Sequence, residues 1–205
     1  MVKQYAFYFD STSCSGCKTC QMACKDKNNL EVGRRWRRVY EVSGGEWFQA
    51  GNTWVPKVYA YFVSMACSHC EDPICLKVCP TQAIKKRADG IVLIDETKCV
   101  GCEYCSLACP YGAPQYNKQA GKMSKCDFCS DYIDQGKSPA CVDACPMRVL
   151  EFGELEELVN KYGLSDNIFP LPPASLTRPS TVITPHKDAR LADSFPGQVA
   201  NREEV

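Results

Sequence analysis

Residues 14–24 read CSGCKTCQMAC and residues 99–110 read CVGCEYCSLACP, so a run of four closely spaced thiols occurs twice. No hydrophobic core demands that many cysteines in one place, and this spacing constrains the chain more than any other feature. All sixteen cysteines fall into four groups of four. The first is Cys14-x2-Cys17-x2-Cys20-x3-Cys24; the second is Cys67-x2-Cys70-x4-Cys75-x3-Cys79, followed by Pro80. The third is Cys99-x2-Cys102-x2-Cys105-x3-Cys109, followed by Pro110; the fourth is Cys126-x2-Cys129-x11-Cys141-x3-Cys145, followed by Pro146. None is left over, and sixteen thiolates are what four cubane clusters require at four ligands apiece.

Two plainer uses of the thiols come first. A disulfide scaffold belongs to a short exported chain behind a signal peptide, and MVKQYAFYFDSTSC shows no apolar h-region ahead of the first thiol. Neighbours at C-x2-C spacing also make poor structural bridges, because few Cβ vectors meet the required geometry. Zinc is the stronger rival, since two C-x2-C pairs can build a four-thiolate site. Zinc ribbons place their pairs far apart, however, and a zinc-stabilised scaffold without redox function stands as the alternative of another class. Lys plus Arg and Asp plus Glu balance at 24 each, which argues against the basic surplus of a nucleic-acid binder. No run approaches the ~18–20 apolar residues of a membrane span. The longest, VYAYFVSMA at 58–66, has the length of a buried strand, so membrane association is expected only through a partner.

The first and third groups repeat in their flanks as well. Asp10 and Asp95 each stand four residues before the first cysteine and close an apolar segment, YAFYF at 5–9 and IVLI at 91–94, that reads as a short strand. Asp89-Gly90 between two strand-like runs signals a hairpin. Strand, ligand loop and short helix form a ferredoxin-type unit, present twice. The spacing C-x2-C-x2-C lets one loop wrap three corners of an iron–sulfur cube with its N–H groups turned toward the sulfurs, where they offset thiolate charge. Gly16 and Gly101 sit where a side chain would obstruct close approach or a left-handed turn. The fourth cysteine projects from the following helix and in two-cluster ferredoxins ligates the other cluster; the proline after it ends that helix. Spacing alone leaves open which groups are partners. Metal has to reach these ligands inside a reducing cell, before any export.

YEVSGGEWF at 40–48, CSHCEDPIC at 67–75, KVCP at 77–80, ACPYGAPQYN at 108–117 and NREEV at 201–205 carry a resemblance that covers nearly the whole chain. It is similar to the four-cluster iron–sulfur subunits of molybdenum oxidoreductase complexes, of the dimethyl sulfoxide reductase type. The x4 spacer before Cys75, the x11 spacer before Cys141 and Lys25 in place of proline depart from a plain ferredoxin and agree with this family. The resemblance implies an α+β fold of two ferredoxin-like [4Fe-4S] modules with internal pseudo-symmetry, a β-rich insertion and an extended C-terminal arm. The first module would span 1–32 and 116–152, the insertion 33–56, the nested second module 57–115, and a short helix with the tail 153–205.

Carried over position by position, the family pattern implies crossed ligation. Cys14, Cys17 and Cys20 would join Cys145 in cluster 1, and Cys24 would join Cys126, Cys129 and Cys141 in cluster 2. Cys67, Cys70 and Cys75 would join Cys109 in cluster 3, and Cys79 would join Cys99, Cys102 and Cys105 in cluster 4. Some relatives have another residue at the place of Cys102 and carry a three-iron cluster there, so the thiol implies four [4Fe-4S] clusters. The implied role is electron transfer from a quinol-oxidising membrane anchor to a molybdopterin catalytic subunit, in a heterotrimer. The alternative is the same role in a formate dehydrogenase, hydrogenase or polysulfide reductase complex. The implied location is the periplasmic face of the membrane, reached by co-export with the catalytic partner, or alternatively the cytoplasmic face. No acid, base or nucleophile constellation suggests substrate chemistry, and no catalytic residue is assigned.

The remaining features admit plainer readings. Arg34, Arg35, Arg37 and Arg38 in GRRWRRVYE form either a solvated strand edge or a basic knot against an acidic partner or an anionic cluster. No apolar stretch follows them, so they are not a twin-arginine signal. His69 is expected to be a hydrogen-bond donor in its loop rather than an iron ligand. Tyr104, Pro80 and Thr81 flank groups that the family places near the membrane anchor; buried packing is preferred to quinol contact. Trp36, Trp47 and Trp54 are expected in the core or an interface. After an amphipathic helix from Leu155, FPLPPASLTRPSTVITP is expected to be extended, as an arm on a partner subunit.

Overall fold

A computed structural model describes residues 3–164, 168–189 and 197–205; the tail segments at 165–167 and 190–196 lie outside the described residues. The fold is α+β, with ten short or medium strands and six helices of four to nine residues among the described residues. Strand β1 (Tyr5–Asp10) is its central element. Alternating side chains leave a strand on opposite faces, and here both faces are covered. Phe7 and Phe9 enter the main core with Val39, Val63, Phe128 and Leu150, while Ala6 and Tyr8 meet Leu158 of the final helix (α6, Leu155–Tyr162). Tyr8 and Tyr162 stack with ring centroids 3.6 Å apart.

The strand pairing repeats itself. β1 precedes the first cysteine group and pairs antiparallel with β8 (Leu150–Glu154), which begins five residues after Cys145. β5 (Val92–Ile94) precedes the third group and pairs antiparallel with β4 (Ile84–Lys86), which begins five residues after Cys79. The first group is thereby tied to the fourth, and the second to the third. The expected Asp89-Gly90 turn joins β4 to β5, with Gly90 at φ +85°. A further hairpin, β6 (Gln115–Asn117) with β7 (Lys122–Ser124), leads into the fourth group.

The insertion is a single long hairpin, β2 (Arg38–Ala50) with β3 (Thr53–Met65), paired from Arg38↔Met65 to Ala50↔Thr53 around the two-residue loop Gly51-Asn52. The boundary expected at 56/57 falls within β3, because VYAYFVSMA is the core end of that strand rather than the start of another unit. Val39, Val42, Tyr61, Val63 and Met65 are buried at this end. The far end projects, with Trp47 and Trp54 59% and 64% exposed. These two tryptophans are therefore not core residues, whereas Trp36 packs on the core and donates its indole N–H to Ser124 Oγ at 3.3 Å.

The tail also differs from expectation. β9 (Thr181–Thr184) runs parallel to β1, with Val182 and Ile183 buried, and β10 (Gly197–Val199) adds to the edge of β2. Two of its described segments pair with the chain's own sheets. The physical reason is the second edge of β1, whose unpaired N–H and C=O groups the tail satisfies.

Candidate metal centres

The ligand loops are shaped by one recurring backbone device. In all four groups the residue just before the second cysteine has positive φ: Gly16 (+68°), His69 (+41°), Gly101 (+70°) and Phe128 (+63°). This left-handed step reverses the loop inside each C-x2-C pair. Glycine is required where space is tightest: a Cβ on Gly101 would lie 2.4 Å from the Gly121 carbonyl oxygen. A second repeated turn follows the fourth cysteine of the last three groups. Gln82, Gly112 and Arg148 also have positive φ and return their N–H to the carbonyls of Cys79, Cys109 and Cys145 at 3.1–3.2 Å. The loop entrances match too, since Asp10 and Asp95 each accept from the N–H and hydroxyl of the threonine two residues on. The first group has Lys25 instead of proline, and its helix α1 (Thr19–Lys27) continues past Cys24.

All sixteen cysteines are unpaired thiols. Three cavities bring twelve of them together. The first is lined by Cys67, Cys70, Cys75 and Cys109. The second is lined by Cys14, Cys17, Cys20 and Cys145, and the third by Cys79, Cys99, Cys102 and Cys105. Each takes three thiols from one group and one from another. In the first group Cys20 and Cys24 are four residues apart on α1, ~6 Å along the axis; Cys20 lines the second cavity and Cys24 does not. The last four thiols, Cys24, Cys126, Cys129 and Cys141, are all buried, and α1 packs against α5 (Ala140–Asp143), which carries Cys141. Among the described residues no three Cys, His, Asp or Glu side chains close on a point suited to one metal ion. The sulfurs thus do not close on a single ion at the ~2.3 Å bonds of a tetrahedral zinc site.

The electrostatics fit a cationic inorganic core. Burial, then the neighbouring Cys141 thiol, pushes Cys24 up to about 12. Burial, then Cys67, does the same at Cys75, while burial raises Cys14 and Cys105 to about 11. Bare thiolates so placed repel one another and lose solvent; a bound metal reverses that balance and deprotonates a coordinating thiol outright. Donors to sulfur are already set. Ala83 N–H lies 3.3 Å from Cys79 Sγ, Met123 N–H 3.4 Å from Cys99 Sγ, and Thr19 Oγ1 3.3 Å from Cys17 Sγ. The Thr19 hydroxyl lowers the Cys17 pKa.

Several side chains correct the sequence expectations. His69 accepts at Nδ1 from Val92 N–H at 2.9 Å, so it is not simply a donor. Burial, reinforced by Lys125 and Lys86, holds it well below the usual imidazole value, hence neutral. Tyr104 is 57% exposed and Pro80 is exposed, so neither shows the buried packing expected of it; Thr81 is half-buried beside Cys79. Arg37 is buried, whereas Arg34 pairs with Glu31 and Arg38 donates to the Tyr111 and Gly112 carbonyls, so the arginine knot is not a solvated edge. Thr177 Oγ1, 3.2 Å from Cys70 Sγ, and Lys125, on the wall of the first cavity, had no signal in the sequence. Thr177 reaches its sulfur only because the tail folds back across 107 positions.

Four groups of unpaired thiols on repeated strand–loop–helix units define an iron–sulfur protein of the ferredoxin-derived class. Residues 58–155 match the family described as the 4Fe-4S dicluster domain. Over 205 residues, with both sequences covered in full, this one is 50% identical to the B subunit of anaerobic dimethyl sulfoxide reductase from Haemophilus influenzae and 49% identical to that from Escherichia coli. It is 39% identical over 158 residues, 77% of this chain and 79% of the relative, to the thiosulfate reductase electron transfer subunit PhsB of Salmonella typhi. The chain belongs to the family of anaerobic dimethyl sulfoxide reductase B subunits, iron–sulfur electron-transfer subunits of multi-subunit oxidoreductases. Among the described residues no helix is long and apolar enough to cross a membrane.

Proposed function

We propose that this chain carries electrons between a quinol-oxidising membrane anchor and a molybdopterin catalytic subunit of a dimethyl sulfoxide reductase-type complex, using four [4Fe-4S] clusters. When bound, such clusters accept and release single electrons without proton or atom transfer. Cys14, Cys17, Cys20 and Cys145 would hold cluster 1, and Cys24, Cys126, Cys129 and Cys141 cluster 2. Cys67, Cys70, Cys75 and Cys109 would hold cluster 3, and Cys79, Cys99, Cys102 and Cys105 cluster 4. The observation that carries this reading is the trio of cavities, each bounded by four thiols drawn from two groups.

The chain's own residues hold, insulate and expose. Pro73, Val92, Tyr111 and Ala113 give the first cavity apolar walls. Of the sixteen thiols, Cys17 and Cys102 are exposed, so the second and third cavities each reach the surface. Val100 lines the third cavity with Cys102, and Met147 the second with Cys17; these two, with Tyr104 and Leu107 further along the third group, are exposed apolar side chains of the kind a partner subunit covers. Tyr104 and Leu107 are three apart on α3 (Tyr104–Ala108), hence on one face. The relatives' names support the sulfoxide-reducing complex, and the proposed location is the periplasmic face of the membrane.

The test is anaerobic purification of the native complex, subunit identification, an iron count and an EPR-monitored redox titration. About sixteen irons per chain, four at each of four centres, and sulfoxide reduction without formate oxidation are expected. A colourless preparation with about four zinc ions would overturn the redox reading.

A further inference from the structure

Arg37 is buried to 2% exposure on the chain segment entering β2. One of its guanidinium nitrogens, Nη1, donates to Ser64 Oγ at 3.1 Å, and its plane lies over the Phe7 ring, 4.7 Å from the centroid. Nε and Nη2 have no hydrogen-bond partner, and among the described residues no carboxylate pairs with it. An isolated cation in a dry interior is strongly unfavourable, and arginine cannot escape by losing its proton. The folded protein therefore has to supply negative charge at this point.

The groups that can do so are sulfurs. Burial works against the guanidinium's charge, and Cys141, Cys20, Cys126 and Cys24 work for it strongly enough to raise its pKa. Ser64 Oγ also stands 3.3 Å from Cys20 Sγ, so one hydroxyl bridges Arg37 to a thiol of the second cavity. Cys20 belongs to the first proposed ligand set, and Cys24, Cys126 and Cys141 to the second. We propose that Arg37 is a shared positioning charge between clusters 1 and 2, holding the reduction potentials of both upward. This inference rests on the ligand sets proposed above. Each one-electron reduction adds one negative charge beside the guanidinium, so a fixed cation there favours the reduced form. Clusters 3 and 4, whose sulfurs are not among its principal charge neighbours, feel it less.

The test compares R37Q and R37K in the anaerobically purified complex, with iron content and midpoint potentials measured by EPR. R37Q is expected to lower the reduced-to-oxidised ratio of both clusters at least tenfold at fixed ambient potential, about 59 mV for a one-electron couple. Clusters 3 and 4 should shift less than clusters 1 and 2, and R37K should keep most of the wild-type potential. If R37Q cannot retain the two clusters but R37K does, at near wild-type potentials, charge is again the operative property. Full loading of R37Q with unmoved potentials, or equal damage in R37Q and R37K, would overturn the proposal. The wild-type iron count and spectra decide the four-cluster reading separately.

Discussion

Gly101→Ala probes the reason for glycine inside a ligand loop, with Gly136→Ala as its control. The two glycines share a backbone conformation, φ +70° and +71°. A side chain held in the left-handed region costs about 1–2 kcal/mol at either position. They differ in surroundings: a Cβ on Gly136 meets nothing within 4 Å, but on Gly101 it would lie 2.4 Å from the Gly121 oxygen and 3.2 Å from the Tyr116 ring. Gly121 is fixed in the β6–β7 turn by its own N–H bond to the Asn117 carbonyl at 2.8 Å, so the clash is with backbone. Forcing extra volume into such a place costs about 1–3 kcal/mol more, and the strain falls between Cys99 and Cys102. G101A is expected to lose about one cluster's iron from the anaerobically purified complex and to bleach its visible iron–sulfur absorbance at a lower temperature. G136A should keep full iron and show only the smaller thermal shift. Equal behaviour of the two variants would refute the close-approach argument and leave left-handed strain as the whole effect.

The crossed arrangement is checked by Cys24→Ser and Cys145→Ser in EPR titrations: C24S should disturb the centre held by the fourth group, and C145S the centre held by the first. Ile183→Ala, in a strand 2% exposed at this residue, should destabilise the chain by about 2–5 kcal/mol, read as a lower thermal or denaturant midpoint; an unchanged midpoint would separate the tail from the core. Trp47→Ala with Trp54→Ala should move stability by no more than about 0.5 kcal/mol while weakening complex assembly, measured by co-purification of the partner subunits.

Local chemistry makes much of the protein legible in its sequence. Ligand spacing depends on loops of a few residues, so the sixteen thiols, the repeated Asp10 and Asp95 entrances, Gly16 and Gly101, and the Asp89-Gly90 hairpin all follow from short-range stereochemistry. The resemblance implied which fourth cysteine would join which trio, something spacing alone left open. What no local pattern contains is contact across long sequence separations. His69 accepts from Val92, Thr177 returns to Cys70, and β9 closes the second edge of β1. The four arginines of GRRWRR look alike as letters. Only the packing of β2 and β3 against β1 separates Arg37 from its neighbours and buries it beside sulfur, because burial belongs to the assembled layers rather than to any segment.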